Sequence, residues 1–186
     1  MDKNTVRDQV LDHARTLLMT RGYNAFSYRD LSERVGVKTS SIHYYFPSKE
    51  DLAFEAVNAY SADVMSSIYA IDSSAPADKK LDRYVKVLVR VIGEEGDRVC
   101  LCGMLAADIA SLPDNVRQAV QAFFRANENW LAKVLAEGEI QETLHANNQP
   151  EAAARALFAA FQGSLLAARL FQTPARLDEI MQVAKR

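Results

Sequence analysis

The chain has 186 residues and a net charge of -2, with 49% hydrophobic and 25% charged residues. This length suffices for a substantial core, and the hydrophobic content excludes a disordered chain. Seven glycines and five prolines indicate few loops, which favours helices. No window reaches the roughly 18 uncharged apolar residues of a membrane span, and the polar start MDKNTVRDQV lacks an apolar signal region. We therefore expect a cytoplasmic protein with no membrane partner.

Apolar residues at helical spacing predict three helices in the first 50 residues, at 6–21, 27–35 and 39–46. Gly22 and Gly36 suit the ends of the first two helices, and Pro47 ends the third. Ser27 and Asp30 form an S-x-x-D pattern, in which the two side chains cap the start of a helix. The second and third helices are therefore short and separated only by a turn.

The rest of the chain continues the helical pattern. A second S-x-x-D pattern at Ser48 begins a long helix to about residue 68, and further helices are expected at 81–92, 104–112, 113–137, 151–171 and after Pro174. The segment 151–171 is apolar around most of its circumference, so we expect it to pack on the protein's own core and on a second subunit. The sequence predicts an all-α fold.

Two short helices joined by a turn containing glycine are typical of a helix-turn-helix, whose second helix enters the major groove of DNA. Tyr44 and Tyr45 offer hydroxyls to phosphates or base edges, and Arg29 can form a bidentate contact with guanine. The first 50 residues carry eight lysines and arginines against six acidic residues, a net charge of +2. That asymmetry is a weak indication of DNA binding.

The run FSYRDLSERVGVKTSSIHYYFPSKEDL, residues 26–52, resembles the DNA-binding head of the TetR family of transcriptional regulators. The resemblance implies a helix-turn-helix domain at residues 1–50, an effector-binding and dimerisation domain at 51–186, and operator DNA and a small molecule as partners of a homodimer. The residues that it implies contact DNA are Arg29, Lys38, Thr39, Ser40, Ser41, His43, Tyr44, Tyr45 and Lys49. His43 departs from the family, which usually has tyrosine there.

The resemblance also implies an intersubunit helical bundle that includes Leu165, Leu166, Arg169, Leu170, Leu177 and Met181. Each of these residues can equally belong to the protein's own core. Four aromatic residues are candidates for an effector pocket: Phe123, Trp130, Phe158 and Phe161. Aromatic residues at helical spacing are also what an ordinary core contains, so both interpretations stay open.

Cys100 and Cys102, in the segment VCLCGM, are candidates for an effector site because thiols near the start of a helix can react with electrophiles or oxidants. The alternative is that they are small buried hydrophobic residues. The three histidines lie far from the cysteines in the sequence and have no ligand spacing, so we expect no metal site and no cofactor.

The resemblance implies a ligand-responsive repressor that binds a near-palindromic operator as a dimer and is released by a small molecule or an electrophile. Two other classes remain as alternatives. A thiol-dependent enzyme would use Cys100 as its nucleophile, although the sequence contains no G-x-S-x-G, H-E-x-x-H or glycine-rich phosphate loop. A non-specific structural DNA binder would be expected to be basic, whereas the net charge here is -2.

Overall fold

The computed structural model describes residues 5–92, 97–173 and residue 180. Every regular element in these residues is helical, which confirms the expected all-α fold. The helices are α1 (Val6–Arg21), α2 (Tyr28–Val35), α3 (Thr39–Tyr45), α4 (Lys49–Tyr69), α5 (Ala77–Ile92), α6 (Leu101–Ala107), α7 (Asp114–Ile140) and α8 (Pro150–Phe171), with a 3-10 turn at Ile109–Ser111. No described helix is long and apolar enough to cross a membrane.

The predicted elements agree with these bounds to within a few residues, apart from two regions. Helix α5 begins at Ala77, four residues before the predicted start, and the single helix expected at 104–112 is divided into α6 and the 3-10 turn. The helix expected after Pro174 falls almost wholly outside the described residues.

Reciprocal side-chain caps begin three of the helices. The Ser27 hydroxyl donates to Oδ2 of Asp30 at 2.6 Å, and the Ser27 amide donates to the same oxygen at 2.6 Å. These hydrogen bonds hold the pKa of the Asp30 carboxyl below its ordinary value. Thr5 with Asp8 and Ser48 with Asp51 form the same arrangement at α1 and α4. The S-x-x-D patterns at Ser27 and Ser48 are therefore helix starts.

The chain divides into two compact units. The first contains the described residues up to Ala62 together with Leu101–Ala122, and the second contains those of Asp63–Cys100 and those from Phe123 onward. Helices α4 and α7 contribute residues to both units. Residues 101–122 therefore pack with the N-terminal helices, although they are distant from them in the sequence.

Helix α1 supports the first unit, because it contacts α2, α3 and α6. Its buried face includes Val10 and Leu17, and neither side chain has any exposed surface. Leu31 of α2, Ile42 of α3 and Phe46 after α3 are equally buried. Burying side chains of this size stabilises the unit by about 1.5 to 3 kcal/mol each, which fixes the two short helices that would not be stable alone.

The loop between α1 and α2 is held by residues from the far end of the same unit. The Tyr23 amide donates to Oδ2 of Asp108 at 2.8 Å, and Nδ2 of Asn24 donates to the Ser111 hydroxyl oxygen at 2.7 Å. Gly22 reaches this geometry with φ 80° and ψ -176°, a conformation open essentially to glycine alone. The start of the loop is thus bound to the segment that follows α6.

The second unit has an aromatic core around a buried polar pair. The Tyr84 hydroxyl donates to Oδ1 of Asn127 at 2.9 Å, and Nδ2 of Asn127 donates to the Phe123 carbonyl oxygen at 2.8 Å. The Tyr84 ring stacks on Trp130, with ring centroids 5.3 Å apart, and also contacts Phe161 at 5.7 Å. Burial, and then proximity to Cys100, raise the pKa of Tyr84 well above its ordinary value. Tyr84 therefore remains a hydrogen-bond donor.

We expect Gly22→Ala to lower the free energy of unfolding by about 2 to 3 kcal/mol, because a Cβ there adopts a disfavoured conformation and lies 2.6 Å from Oδ2 of Asp108. Gly36→Ala is the matched control, since Gly36 also has a positive φ but has open space around it. That variant should cost about 1 kcal/mol. Urea unfolding measures both, and equal losses would contradict the close contact at Gly22.

Candidate nucleic-acid interface

Helices α2 and α3 form a helix-turn-helix. Gly36 ends α2 in the left-handed conformation, with φ 74° and ψ 31°. Its amide and that of Val37 both donate to the Ser32 carbonyl oxygen, at 2.9 Å and 3.2 Å. The chain therefore reverses within a few residues, and Lys38 is already the residue that precedes α3. This turn is what allows both short helices to pack on α1.

Helix α3 buries one side chain and exposes most of the others. Ile42 is completely buried, whereas Tyr44 is 81% and Tyr45 is 37% exposed. The two tyrosine rings meet edge to face with centroids 5.0 Å apart. Lys38, Thr39 and Ser40 are also exposed, and Ser41 is half-buried. A large aromatic residue that is four-fifths exposed next to small hydroxyl residues is more typical of a binding surface than of a core.

His43 is exposed and held by two contacts. Its ring lies 4.6 Å from the Tyr28 ring, and its Nδ1 lies 3.2 Å from the Pro47 carbonyl oxygen. A carbonyl oxygen only accepts hydrogen bonds, so Nδ1 carries the hydrogen in this arrangement. In the neutral ring the other nitrogen, Nε2, is then an acceptor, unlike the hydroxyl of the tyrosine that is usual in the family.

Tyr28 fixes the link between α3 and α4. Its hydroxyl oxygen lies 2.9 Å from the Phe46 carbonyl oxygen and 2.5 Å from the Ser48 carbonyl oxygen, which are on either side of Pro47. Burial, and then the Asp51 carboxylate, raise the pKa of Tyr28, so the donor is retained. The first residue of α2 thereby sets where α3 ends and where α4 begins.

Lys49 lies at the start of α4, but its ammonium group is engaged within the protein. Nζ donates to the Phe26 carbonyl oxygen at 2.6 Å and lies over the rings of Phe26 and Tyr23, 4.4 Å and 4.9 Å from their centroids. Burial lowers the pKa of Lys49, although Asp30 partly opposes this. The lysine thus joins the loop between α1 and α2 to the start of α4.

Arg29 lies on the exposed side of α2. Its Nε donates to Oε1 of Glu33 at 3.0 Å, and the two side chains are 85% and 66% exposed. A pair this exposed contributes little to stability, so the guanidinium group can exchange Glu33 for another anion at small cost. Arg29 is therefore available to a partner, in contrast to the ammonium group of Lys49.

The aromatic residues named as effector candidates all lie in the second unit. Phe123, Phe158 and Phe161 are buried, and Trp130 is half-buried against Tyr84. Cys100 and Cys102 are also buried, with 2% and 0% exposure. The cysteines belong to different units, since the boundary falls between Cys100 and Leu101.

The residues named for the dimer interface differ in exposure. Leu166 and Leu170 of α8 are 48% and 76% exposed, whereas Leu165 is completely buried in its own chain. Arg169 is half-buried. Leu177 and Met181 lie outside the described residues. Among the described residues of this set, Leu166 and Leu170 thus have the most apolar surface that a partner subunit could bury.

An α1-supported helix-turn-helix with an exposed second helix defines a DNA-binding protein. The chain matches the family model described as bacterial regulatory proteins, tetR family, over residues 10–56, and the tetracyclin repressor-like C-terminal domain over residues 77–184. The second match alone spans more than half of the chain. The protein belongs to the TetR family of transcriptional regulators, which confirms the resemblance identified from the sequence.

Relatives match nearly the whole chain, and two of those described here have solved structures. A TetR-family regulator from Agrobacterium tumefaciens is 33% identical, with a TM-score of 0.89 over 96% of this chain and 94% of that one. A regulator from Legionella pneumophila is 29% identical, with a TM-score of 0.88 over 99% and 97%. The transcriptional repressor DhaR from Mycobacterium sp. strain GP1 is 23% identical over 98% of this chain and 92% of that protein.

Sequence reasoning did not assign a role to Tyr23, Tyr28 or Asp108. Tyr28 follows a capping serine, and an aromatic residue at the first position of a short helix is the one local sign that it reaches a neighbouring segment. Asp108 accepts a hydrogen bond from the amide of Tyr23, which is 85 residues away in the chain, so no local pattern indicates that contact. These residues build the interface without lying on its exposed face.

We expect Tyr28→Phe to lower the free energy of unfolding by about 1 kcal/mol, because it removes the hydroxyl that donates to the partly buried Phe46 carbonyl oxygen and lies next to that of Ser48. Tyr44→Phe is the matched control and should change it by less than about 0.5 kcal/mol, because Tyr44 is 81% exposed. Urea unfolding of both variants checks this. A loss no larger for Tyr28→Phe than for Tyr44→Phe would remove Tyr28 from the framework of the interface.

Proposed function

We propose that this protein is a ligand-responsive transcriptional repressor that binds a near-palindromic operator as a homodimer and is released by a small molecule. The observation that carries the proposal is the exposed face of α3. The opposite face of this helix packs inside the first unit through Ile42. Membership of the TetR family supports operator binding. The relative DhaR is a transcriptional repressor, which supports repression.

At the DNA, we assign base contacts to the start of α3 and phosphate contacts to its edges. Thr39 and Ser40 are small and exposed, so the first turn of α3 can approach base edges closely. Lys38 and the hydroxyls of Tyr44 and Tyr45 suit phosphates, and the exposed ring of His43 lies beside them in α3. Arg29 reaches a base or a phosphate when it exchanges Glu33 for DNA.

Lys49 has a different place in this proposal from the one expected from the sequence. Its ammonium group is already bound to the Phe26 carbonyl oxygen and two rings. We therefore assign Lys49 to the orientation of α4 and its neighbouring loop rather than to a free phosphate contact. Neutralising Lys49 would then lower the stability of the protein, and it would change the salt dependence of DNA binding only slightly.

For the dimer, we propose that α8 presents Gly163, Leu166 and Leu170 to the partner subunit. These residues are spaced by three and four, so they share one face, and all three are exposed. A Cβ at Gly163 would meet nothing within 4 Å in the single chain. In a dimer with two heads, the α3 helices would enter major grooves about 34 Å apart, one turn of DNA.

For the effector, we propose a small apolar or aromatic molecule bound without a covalent bond in the aromatic part of the second unit. Phe158 contacts Phe123 and Phe124 there, with ring centroids 6.4 Å and 5.1 Å away. The buried pair of Tyr84 and Asn127 supplies polar groups among these rings. An effector that binds better to a conformation with the wrong spacing of the heads weakens DNA binding by that difference, typically about 1 to 3 kcal/mol.

Operator binding is tested by fluorescence anisotropy on DNA from immediately upstream of the protein's own gene, with random DNA as the control. We expect a preference of about 10³-fold or more for the specific DNA. Equal affinity for both would favour a non-specific DNA binder.

Tyr44→Ala should weaken specific binding by about tenfold or more in the dimer. Tyr69→Ala, with a tyrosine that is 66% exposed at the end of α4, is the matched control and should change nothing.

Lys38→Gln distinguishes a phosphate contact from a base contact in the same assay. We expect it to weaken binding to all sequences alike and to reduce the slope of log K against log salt by about 2, one for each subunit. Lys49→Gln should reduce the slope by less and lower the melting temperature more. An unchanged slope for Lys38→Gln would remove Lys38 from the DNA contacts.

The alternative of a thiol-responsive switch is tested by alkylation. Because both cysteines are buried, we expect iodoacetamide to react with the folded protein at least about 100-fold more slowly than with the protein in urea. Mass spectrometry of quenched samples measures both rates. Fast modification of the folded protein that also abolishes operator binding would favour an electrophile as the effector over a reversible ligand.

A further inference from the structure

A surface cleft of the second unit lies apart from the aromatic residues that we assign to the effector. It is formed by the end of α4 with the turn that follows, and by one face of α5. Its volume is about 270 Å³, just below the usual range of about 300 to 1,000 Å³ for small-molecule sites. We call it the α5 cleft, and the side chains that matter to its chemistry are Ile71, Asp72, Arg83, Lys86, Val87 and Arg90.

The α5 cleft is strongly cationic for a protein of net charge -2. Arg83, Lys86 and Arg90 are spaced by three and four residues, so all three lie on the same face of α5. Asp72 is the one acidic residue of the lining, which leaves a local charge of +2. Like charges at this spacing repel each other and destabilise a helix unless an anion lies among them.

The other cations of α5 have anionic partners. Lys79 lies 3.3 Å from Asp78 and 3.9 Å from Asp82, and Lys80 forms an ion pair with Glu137. In the described part of the chain no ion pair involves Lys86 or Arg90. Lys86 and Arg90, the two cations of α5 without an ion pair among the described residues, both line the cleft, where Arg83 lies at the limit of an ion pair with Asp72.

Asp72 compensates this charge only in part. Its Oδ1 accepts hydrogen bonds from the hydroxyl and the amide of Ser74, at 2.7 Å and 2.9 Å. The Ser74 hydroxyl, followed by its amide, is the leading cause of the lowered pKa of Asp72. The nearest guanidinium nitrogen of Arg83 is 4.0 Å from Oδ2, at the limit of an ion pair. The cleft thus retains the capacity to bind an anion.

The lining also has an apolar part. Ile71 and Val87 are half-buried, from the turn after α4 and from α5. A ligand that fits both features carries an oxyanion for the cations and a small hydrocarbon group for these side chains. A cleft of this volume accommodates a molecule of that size rather than a folded partner.

We propose that the α5 cleft is a binding site for a small organic anion, either a carboxylate or a phosphate ester. The oxyanion lies among Arg83, Lys86 and Arg90, and the hydrocarbon group contacts Ile71 and Val87. None of the residues that line this site belongs to the DNA-binding helices or to the aromatic core. Its occupation does not depend on operator binding, so it can be tested without DNA.

The test is isothermal titration calorimetry of the full chain with benzoate, phenyl phosphate and benzamide. Benzamide is the neutral control, because it matches benzoate in shape but carries no charge. We expect at least one of the two anions to bind with a dissociation constant of about 10 µM to 1 mM, and benzamide to bind at least about tenfold more weakly. The tighter anion identifies carboxylate or phosphate as the preferred group.

Two double variants locate the binding. K86Q/R90Q should weaken the anion at least about tenfold, whereas R125Q/K133Q, which removes the same charge from exposed positions of α7, should change it less than about twofold. Thermal melting confirms that both variants fold. Binding of neither anion, equal binding of benzamide, or unchanged affinity in K86Q/R90Q would each overturn the proposal.

The same variants separate this site from a DNA contact. Under the proposal, K86Q/R90Q and R125Q/K133Q bind a DNA duplex with equal affinity at low salt. A selective loss of DNA binding in K86Q/R90Q, with anion binding unchanged, would assign the cations to the DNA backbone and overturn the proposal. Failure of operator recognition by the wild-type protein, in contrast, bears on the proposed repressor function alone.

Discussion

The geometry of the helix-turn-helix depends on the contacts of the partly buried Lys49 ammonium group. It joins the start of α4 to the carbonyl oxygen of Phe26 and to the rings of Tyr23 and Phe26. The amide of Tyr23 is in turn bound by Asp108 from the segment after α6. The short loop between α1 and α2 is therefore bound by the Lys49 ammonium group and by the Asp108 carboxylate. Because the loop leads directly into α2, these contacts determine where the α2–α3 pair begins.

This arrangement separates the residues that build the interface from those that meet a partner. Tyr28 and Lys49 use their polar groups within the protein, so they are committed before any DNA is bound. Tyr44 and Arg29 are exposed and held only by weak contacts. A rigid support with an adaptable surface reduces the ordering cost of binding. The second unit likewise combines a buried aromatic core around Tyr84 with an exposed row of cations on α5.

Much of the fold could be predicted from the sequence because its signals are local. The capping pairs at Ser27 and Ser48, the glycine after α2 and the spacing of apolar residues each act within a few residues, and the structure confirms them. The helix expected at 104–112 was wrong in one respect, because the 3-10 turn interrupts it before Pro113. The assignment of individual residues to DNA, effector and partner subunit remains a prediction, since it depends on molecules outside the single chain.

By itself the sequence determined the helical class, the order of the elements and the family, because periodicity, caps and the run from Phe26 to Leu52 are written in neighbouring residues. Only the tertiary structure decided how the side chains are used. It turned the Lys49 ammonium inward, buried Cys100 and Cys102, and placed Leu165 inside while Leu166 stays exposed. The physical reason is distance along the chain: a contact such as that of Tyr23 with Asp108 joins residues 85 positions apart and leaves no local pattern.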